Sequence, residues 1–138
     1  MISRHAGLLT PILLTAAACA SLTPEAVPVG PGHVTGTITY RERIALPPNA
    51  VVQVKLLEIS RPDTPAATVA QQIIANPGEV PIAFDLTYGP AAIDSRNIYG
   101  IQVRITVEGE LQWTNDTSHA VITHGNPSWA EIVLRQVR

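Results

Sequence analysis

Tyr99-Gly100-Ile101-Gln102-Val103-Arg104-Ile105-Thr106-Val107-Glu108 carries an apolar side chain at every odd position and a small or polar one at every even position. A period of two gathers the odd set on one face of an extended strand, and no face of a 3.6-residue helix collects it. Gly109-Glu110 then turns the chain into Leu111-Gln112-Trp113-Thr114, so the spacing predicts a β-hairpin. The parity of Trp113 matches that of Leu111, which places its indole in the core.

The same alternation extends in both directions. Val34 to Tyr40 sets apolar or small residues against threonines, and Ile82-Ala83-Phe84-Asp85-Leu86 repeats the pattern. Val51 to Ile59 inverts its parity near Leu56-Leu57, the signature of a bulge or of a strand covered on both faces. Thr68 to Ile74, Ala120 to Thr123 and Ala130 to Val137 complete the set of strands. The predicted core is Val34, Ile38, Val52, Val54, Phe84, Leu86, Ile101, Val103, Ile105 and Trp113.

Proline and glycine stand between these segments: Leu46-Pro47-Pro48-Asn49, Arg61-Pro62-Asp63-Thr64-Pro65, Asn76-Pro77-Gly78-Glu79, Gly89-Pro90 and Gly125-Asn126-Pro127-Ser128. A proline inside a central strand deletes a ladder donor, so this punctuation belongs in turns. Pro90 to Arg96 has room for one helical turn. Seven or eight short strands at roughly 8–15-residue spacing predict an all-β, antiparallel β-sandwich in a single domain, with a small barrel as the alternative.

The N-terminus reads differently. Gly7 to Ala18 is a short apolar run behind Arg4, below the roughly 20 residues that span a bilayer, and it ends in Ala16-Ala17-Ala18 before Cys19. Small residues before a thiol predict a bacterial lipoprotein signal over residues 1–18, with Cys19 as the lipidated residue. An ordinary secretory signal cleaved near Ala18 or Ala20 is the alternative. Residues 19–32 hold three prolines and two glycines and form an extended tether; residues 33–138 form the domain. Ala20, where an aspartate would favour retention at the inner membrane, points to the outer membrane, lipid-anchored and facing the periplasm.

Charge narrows the partners. Of nine basic residues only Arg4 lies in the signal, so the remaining eight face eleven acids, a formal charge of −3. The arginines are scattered among acids rather than clustered, which argues against nucleic acid as a partner. Cys19 is the one cysteine of the chain, so no intramolecular disulfide can form.

Candidate chemical groups are few. Asp116, His119 and His124 lie close in sequence, but offsets of three and five place neighbours on opposite faces of a continuous strand, and a turn organised by Asp116 with Asn115 and Thr117 is the simpler reading. Asp94 and Arg96 suit a turn, with a ligand role only if both enter a groove. His33 has no evident partner, and Trp129 admits burial or a partner contact. No nucleophile elbow, phosphate-binding glycine loop or cofactor fingerprint occurs, so no enzyme activity, cofactor, metal site or small-molecule substrate is expected.

Val34 to Ala50, with Thr39-Tyr40-Arg41-Glu42-Arg43-Ile44-Ala45-Leu46-Pro47-Pro48, then Pro81 to Phe84, Tyr88 to Asp94, Asn115-Asp116-Thr117 and Gly125-Asn126-Pro127, resembles the YbaY-type lipoproteins. That family takes in the YscW-type lipoprotein chaperones, the pilotins of type III secretion secretins. The resemblance implies an Ig-like sandwich on a lipid tether and a non-catalytic role. It further implies a partner, a secretin subunit that the protein binds and directs to the outer membrane. A general envelope lipoprotein of structural or stress-associated role, without a dedicated secretin partner, is the alternative. Neither reading assigns partner-binding residues.

Overall fold

The computed structural model of the chain describes Gly7 and residues 30–137. Cys19, and the signal and tether apart from Gly7 and residues 30–32, lie outside the described residues. Eight strands follow in order: β1 Gly32–Tyr40, β2 Ala50–Glu58, β3 Ala67–Ala75, β4 Ile82–Tyr88, β5 Tyr99–Val107, β6 Glu110–Thr114, β7 His119–Val121 and β8 Trp129–Gln136. The turn expected after Pro90 is a 3-10 turn over Pro90–Ala92. The parity inversion in β2 is a bulge, since the register against β3 shifts between Leu56 and Leu57.

The β5–β6 hairpin turns one residue earlier than Gly109-Glu110. Glu108 and Gly109 both have positive φ, 52° and 80°, the combination of a type I′ turn whose twist matches the flanking strands. Glu110 already pairs with Val107.

One ladder path links seven strands in the order β3-β2-β5-β6-β8-β1-β4, with β7 added beside β5. Its two ends return to each other: Gln72 Oε1 on β3 accepts the Asp85 N–H of β4 at 3.0 Å. The all-β reading stands, but the arrangement is a single sheet nearly closed into a barrel. Among the described residues the two separately laddered sheets of an Ig-like sandwich are not seen. Nor is the pairing wholly antiparallel, because β1 and β8 run parallel from Thr35↔Trp129 to Tyr40↔Leu134. These are the first and last strands, so no hairpin between them dictates direction.

Alternation carries through to the interior. Among the described residues twenty apolar side chains are buried, and they include all ten predicted core positions. Trp113 is 4% exposed and stacks on Tyr40, ring centroids 4.0 Å apart and planes 17° from parallel. The Tyr40 hydroxyl donates to the Ile44 carbonyl, which ties the β1–β2 connection to this stack.

β5 changes partner along its length. β6 pairs with Arg104–Val107 and β7 with Tyr99–Ile101. Asn115 bridges the gap: its Oδ1 accepts the Val103 N–H at 2.8 Å and its Nδ2 donates to the Ile101 carbonyl at 2.9 Å. The side-chain amide thus takes the place of a missing ladder residue. Nδ2 also reaches the Thr117 carbonyl at 3.0 Å, which fixes the connection between β6 and β7.

Asp94 and Arg96 pair within the β4–β5 connection. Arg96 Nε and Nη2 donate to the two Asp94 oxygens at 3.1 and 2.8 Å, and the Arg96 backbone N–H adds a bond of 2.9 Å to Oδ1. These hydrogen bonds to the Arg96 side chain and backbone lower the Asp94 pKa to about 2. The buried Tyr99 hydroxyl accepts the Asp94 N–H at 2.8 Å, so the turn is pinned to the core.

Three outcomes test this architecture. Ile101→Ala or Ile105→Ala costs about 2–4 kcal/mol in urea unfolding, while Arg104→Ala, exposed between them, costs under about 1 kcal/mol. Asn115→Ala leaves two β5 backbone groups unpaired and costs about 1–3 kcal/mol, with faster amide exchange at Val103. Because the folded pKa of Asp94 is depressed, its contribution is present above the ordinary value of 3.8 and is lost as pH falls towards about 2. Asp94→Asn therefore flattens the pH dependence of the melting temperature across that window.

Candidate functional site

The connection 115–118 separates two hollows on the outside of the sheet. The larger, about 400 Å³, runs over β8 at Val133–Arg135, with Arg41 and Glu42 on one side and Asp116 and Thr117 on the other. A shallower one of about 220 Å³ lies over β2 and β5 beside Leu57, Ile59, Gly100 and Gln102. The larger groove follows from strand lengths. β1 gives out at Tyr40 and β6 at Thr114, which pair with Leu134 and Arg135, so β8 forms its floor where both neighbours end.

Its walls are charged and its floor is mixed. Arg135 Nη1 lies 3.0 Å from Asp116 Oδ2, and Thr117 Oγ1 donates to Asp116 Oδ1 at 3.1 Å. Both members of the ion pair are exposed, so the contact is worth at most about 1 kcal/mol. Outward from the sheet along β8 stand Trp129, Glu131, Val133 and Arg135, alternating with buried Ala130, Ile132 and Leu134. Trp129 is 59% exposed and Val133 40%, which answers the question the sequence left about Trp129.

The structure disperses the other candidates. Asp116 faces the groove, His119 sits on β7 opposite Ile101, and His124 occupies a positive-φ turn with Nε2 3.2 Å from the Arg96 carbonyl. Among the described residues no three His, Cys, Asp or Glu side chains converge as a metal site. Asp94 and Arg96 serve the β4–β5 turn and do not line the groove over β8. His33 does have a partner across the β1–β4 ladder: Nδ1 lies 2.8 Å from Asp85 Oδ1. Asn115 is the functional group that sequence reasoning undervalued. Its position directly after a strand, in an Asx-rich run, was the available signal.

Comparison with known proteins places these features in a family. Residues 30–134 match the family described as "Type III secretion system lipoprotein chaperone (YscW)". The lipoprotein YbaY of Escherichia coli K12 is 33% identical over 107 residues, covering 77% of this chain; the chain spans 56% of that relative's length. A solved structure described as an alternative pilotin from the type II secretion system of Vibrio cholerae superposes with a TM-score of 0.76 at 38% identity, covering 78% of this chain and 98% of that one. With the match running from the start of β1 to nearly the end of β8, the chain belongs to the YscW family of secretion-system lipoprotein chaperones.

Proposed function

We propose that this protein is a pilotin: a non-catalytic binding module, lipidated on Cys19, that holds a secretin subunit and carries it to the periplasmic face of the outer membrane. The observation that carries the reading is the match, over nearly its entire length, of a solved pilotin to this domain at 38% identity. The two secretion systems named among the relatives are type II, for a pilotin, and type III, for a lipoprotein chaperone. The division of labour is physical. The diacylglyceryl and amide-linked chains of a bacterial lipoprotein anchor stably where one acyl chain would bind only marginally, so lipid sets the destination and the sheet supplies the grip.

The 33% identity to YbaY supports a second reading, a general envelope lipoprotein without a dedicated secretin client. Fractionation and co-purification separate the two. Wild type is expected to carry the lipid by intact mass, to co-purify with a secretin subunit encoded in the same genome, and to place secretin multimers in the outer membrane. Cys19→Ser is expected to keep secretin binding and to lose that placement. If deletion of the gene leaves outer-membrane secretin multimers unchanged and the lipidated protein recovers no secretin, the second reading replaces the first.

A further inference from the structure

Strand direction sorts the connections to two ends of the barrel. β1 enters at Gly32, and β8, which runs parallel to it, enters at the same end, with Thr35 opposite Trp129. β4 is antiparallel to β1, β5 runs antiparallel to β2 and β7, and β6 is antiparallel to β8 and β5. The connections after β2, β4 and β7 therefore gather around the N-terminal entry. Hydrogen bonds join them there: the Ile59 N–H donates to the Ile98 carbonyl at 2.8 Å, Thr123 Oγ1 to the Asn97 carbonyl at 2.6 Å, and the Ile122 N–H to the Pro127 carbonyl at 3.1 Å. Cys19 precedes this end by 13 residues (32 − 19).

The entry end carries Trp129 and Ile98, both exposed, and the exposed Pro90–Ala92 turn. Its three connections hold Arg61, Asp63, Asp94 and Arg96, whose formal charges cancel, whereas Glu42, Glu79, Glu108 and Glu110 all belong to the opposite end. Nothing of one sign therefore repels anionic headgroups at the entry end. An exposed indole, apolar in its ring and polar at its N–H, favours the boundary between water and lipid. We infer that this end of the barrel rests on the bilayer, with the Trp129 indole seated among the lipid headgroups. This rests on the lipidation of Cys19 proposed above.

Chain length decides which end meets the lipid. Thirteen residues reach at most about 45 Å, and a flexible chain of that length averages about 20 Å. The nine residues of β1 span about 30 Å, so the entry end is the one an anchor on Cys19 keeps near the headgroups. One indole alone binds a bilayer weakly, but a short tether turns the contact into an intramolecular one at an effective concentration on the order of millimolar. Orientation follows from the contact. β8 runs away from the bilayer after Trp129, which lifts the groove at Arg135 by up to about 20 Å and leaves it open to the periplasm.

The test places the full lipidated protein on vesicles of phosphatidylethanolamine and phosphatidylglycerol and reads tryptophan fluorescence. The chain has two tryptophans, and Trp113 is buried, so iodide reports on Trp129. In the Cys19→Ser protein, free in solution, iodide is expected to quench Trp129. In the lipidated protein on vesicles that quenching is expected to be lost, and brominated acyl chains are expected to quench instead. Trp129→Phe is expected to abolish both signals, and their persistence overturns the inference. Trp129 still open to iodide on vesicles, with the lipid on Cys19 verified by intact mass, overturns the inference and leaves the lipoprotein reading standing. Shielding already present in solution has the same force, because the chain itself or a second copy then covers the indole. Shielding that needs the secretin subunit rather than lipid likewise overturns it and assigns Trp129 to the client. Absence of lipid by intact mass overturns both readings.

Discussion

The close approach of β8 to Gly36 holds the molecule together. A Cβ at Gly36 would stand 1.9 Å from the Ala130 carbonyl oxygen and 2.9 Å from the Phe84 ring, so any other residue pushes β8 or β4 away. That approach is what lets the last strand lie parallel to the first. On one side of the junction are β4 and β1, on the other β3, β2, β5 and β6, and β8 alone ladders to both. Closing a sheet removes edges and encloses its apolar face, which is how a chain with a single cysteine builds a core without a disulfide staple.

β6 cannot follow β8 beyond Arg135 because Asn115 commits the chain to β5, and β7 then completes the β5 ladder. The return to β8 is tight. β7 stops at Val121, and Ile122 after it, with a φ of 74° and the Thr123 N–H on the Val121 carbonyl at 2.8 Å, makes a γ-turn of the uncommon hand, held by Thr123 Oγ1 on the Asn97 carbonyl. One side-chain amide and one strained turn thus set the path by which β7 passes beside the start of β8 without a ladder to it.

Strand identity was legible because it is a local matter of parity. The alternation of Tyr99 to Glu108 and the inversion at Leu56-Leu57 appear in space as a half-buried strand and a bulge. What parity does not carry is which strand meets which. The β1–β8 pairing is parallel and joins the two ends of the sequence, and only Gly36, an unremarked glycine among threonines, hinted at a close backbone crossing. His119 and His124 stand apart, one on β7 and one in the turn that follows it. Site chemistry was not legible where two distant segments meet, as with His33 and Asp85 or Asp116 and Arg135. Asn115 was read as turn chemistry, yet its consequence is a ladder repair that depends on where β5 lies.

The charges of the groove over β8 are loosely held. Exposed ion pairs such as Arg135–Asp116 cost little to rearrange, and charges of this kind govern encounter and selectivity more than strength. Strength in any contact here has to come from apolar area, which β8 presents at the exposed Trp129 and Val133 while its other face stays locked into the core through Ala130, Ile132 and Leu134.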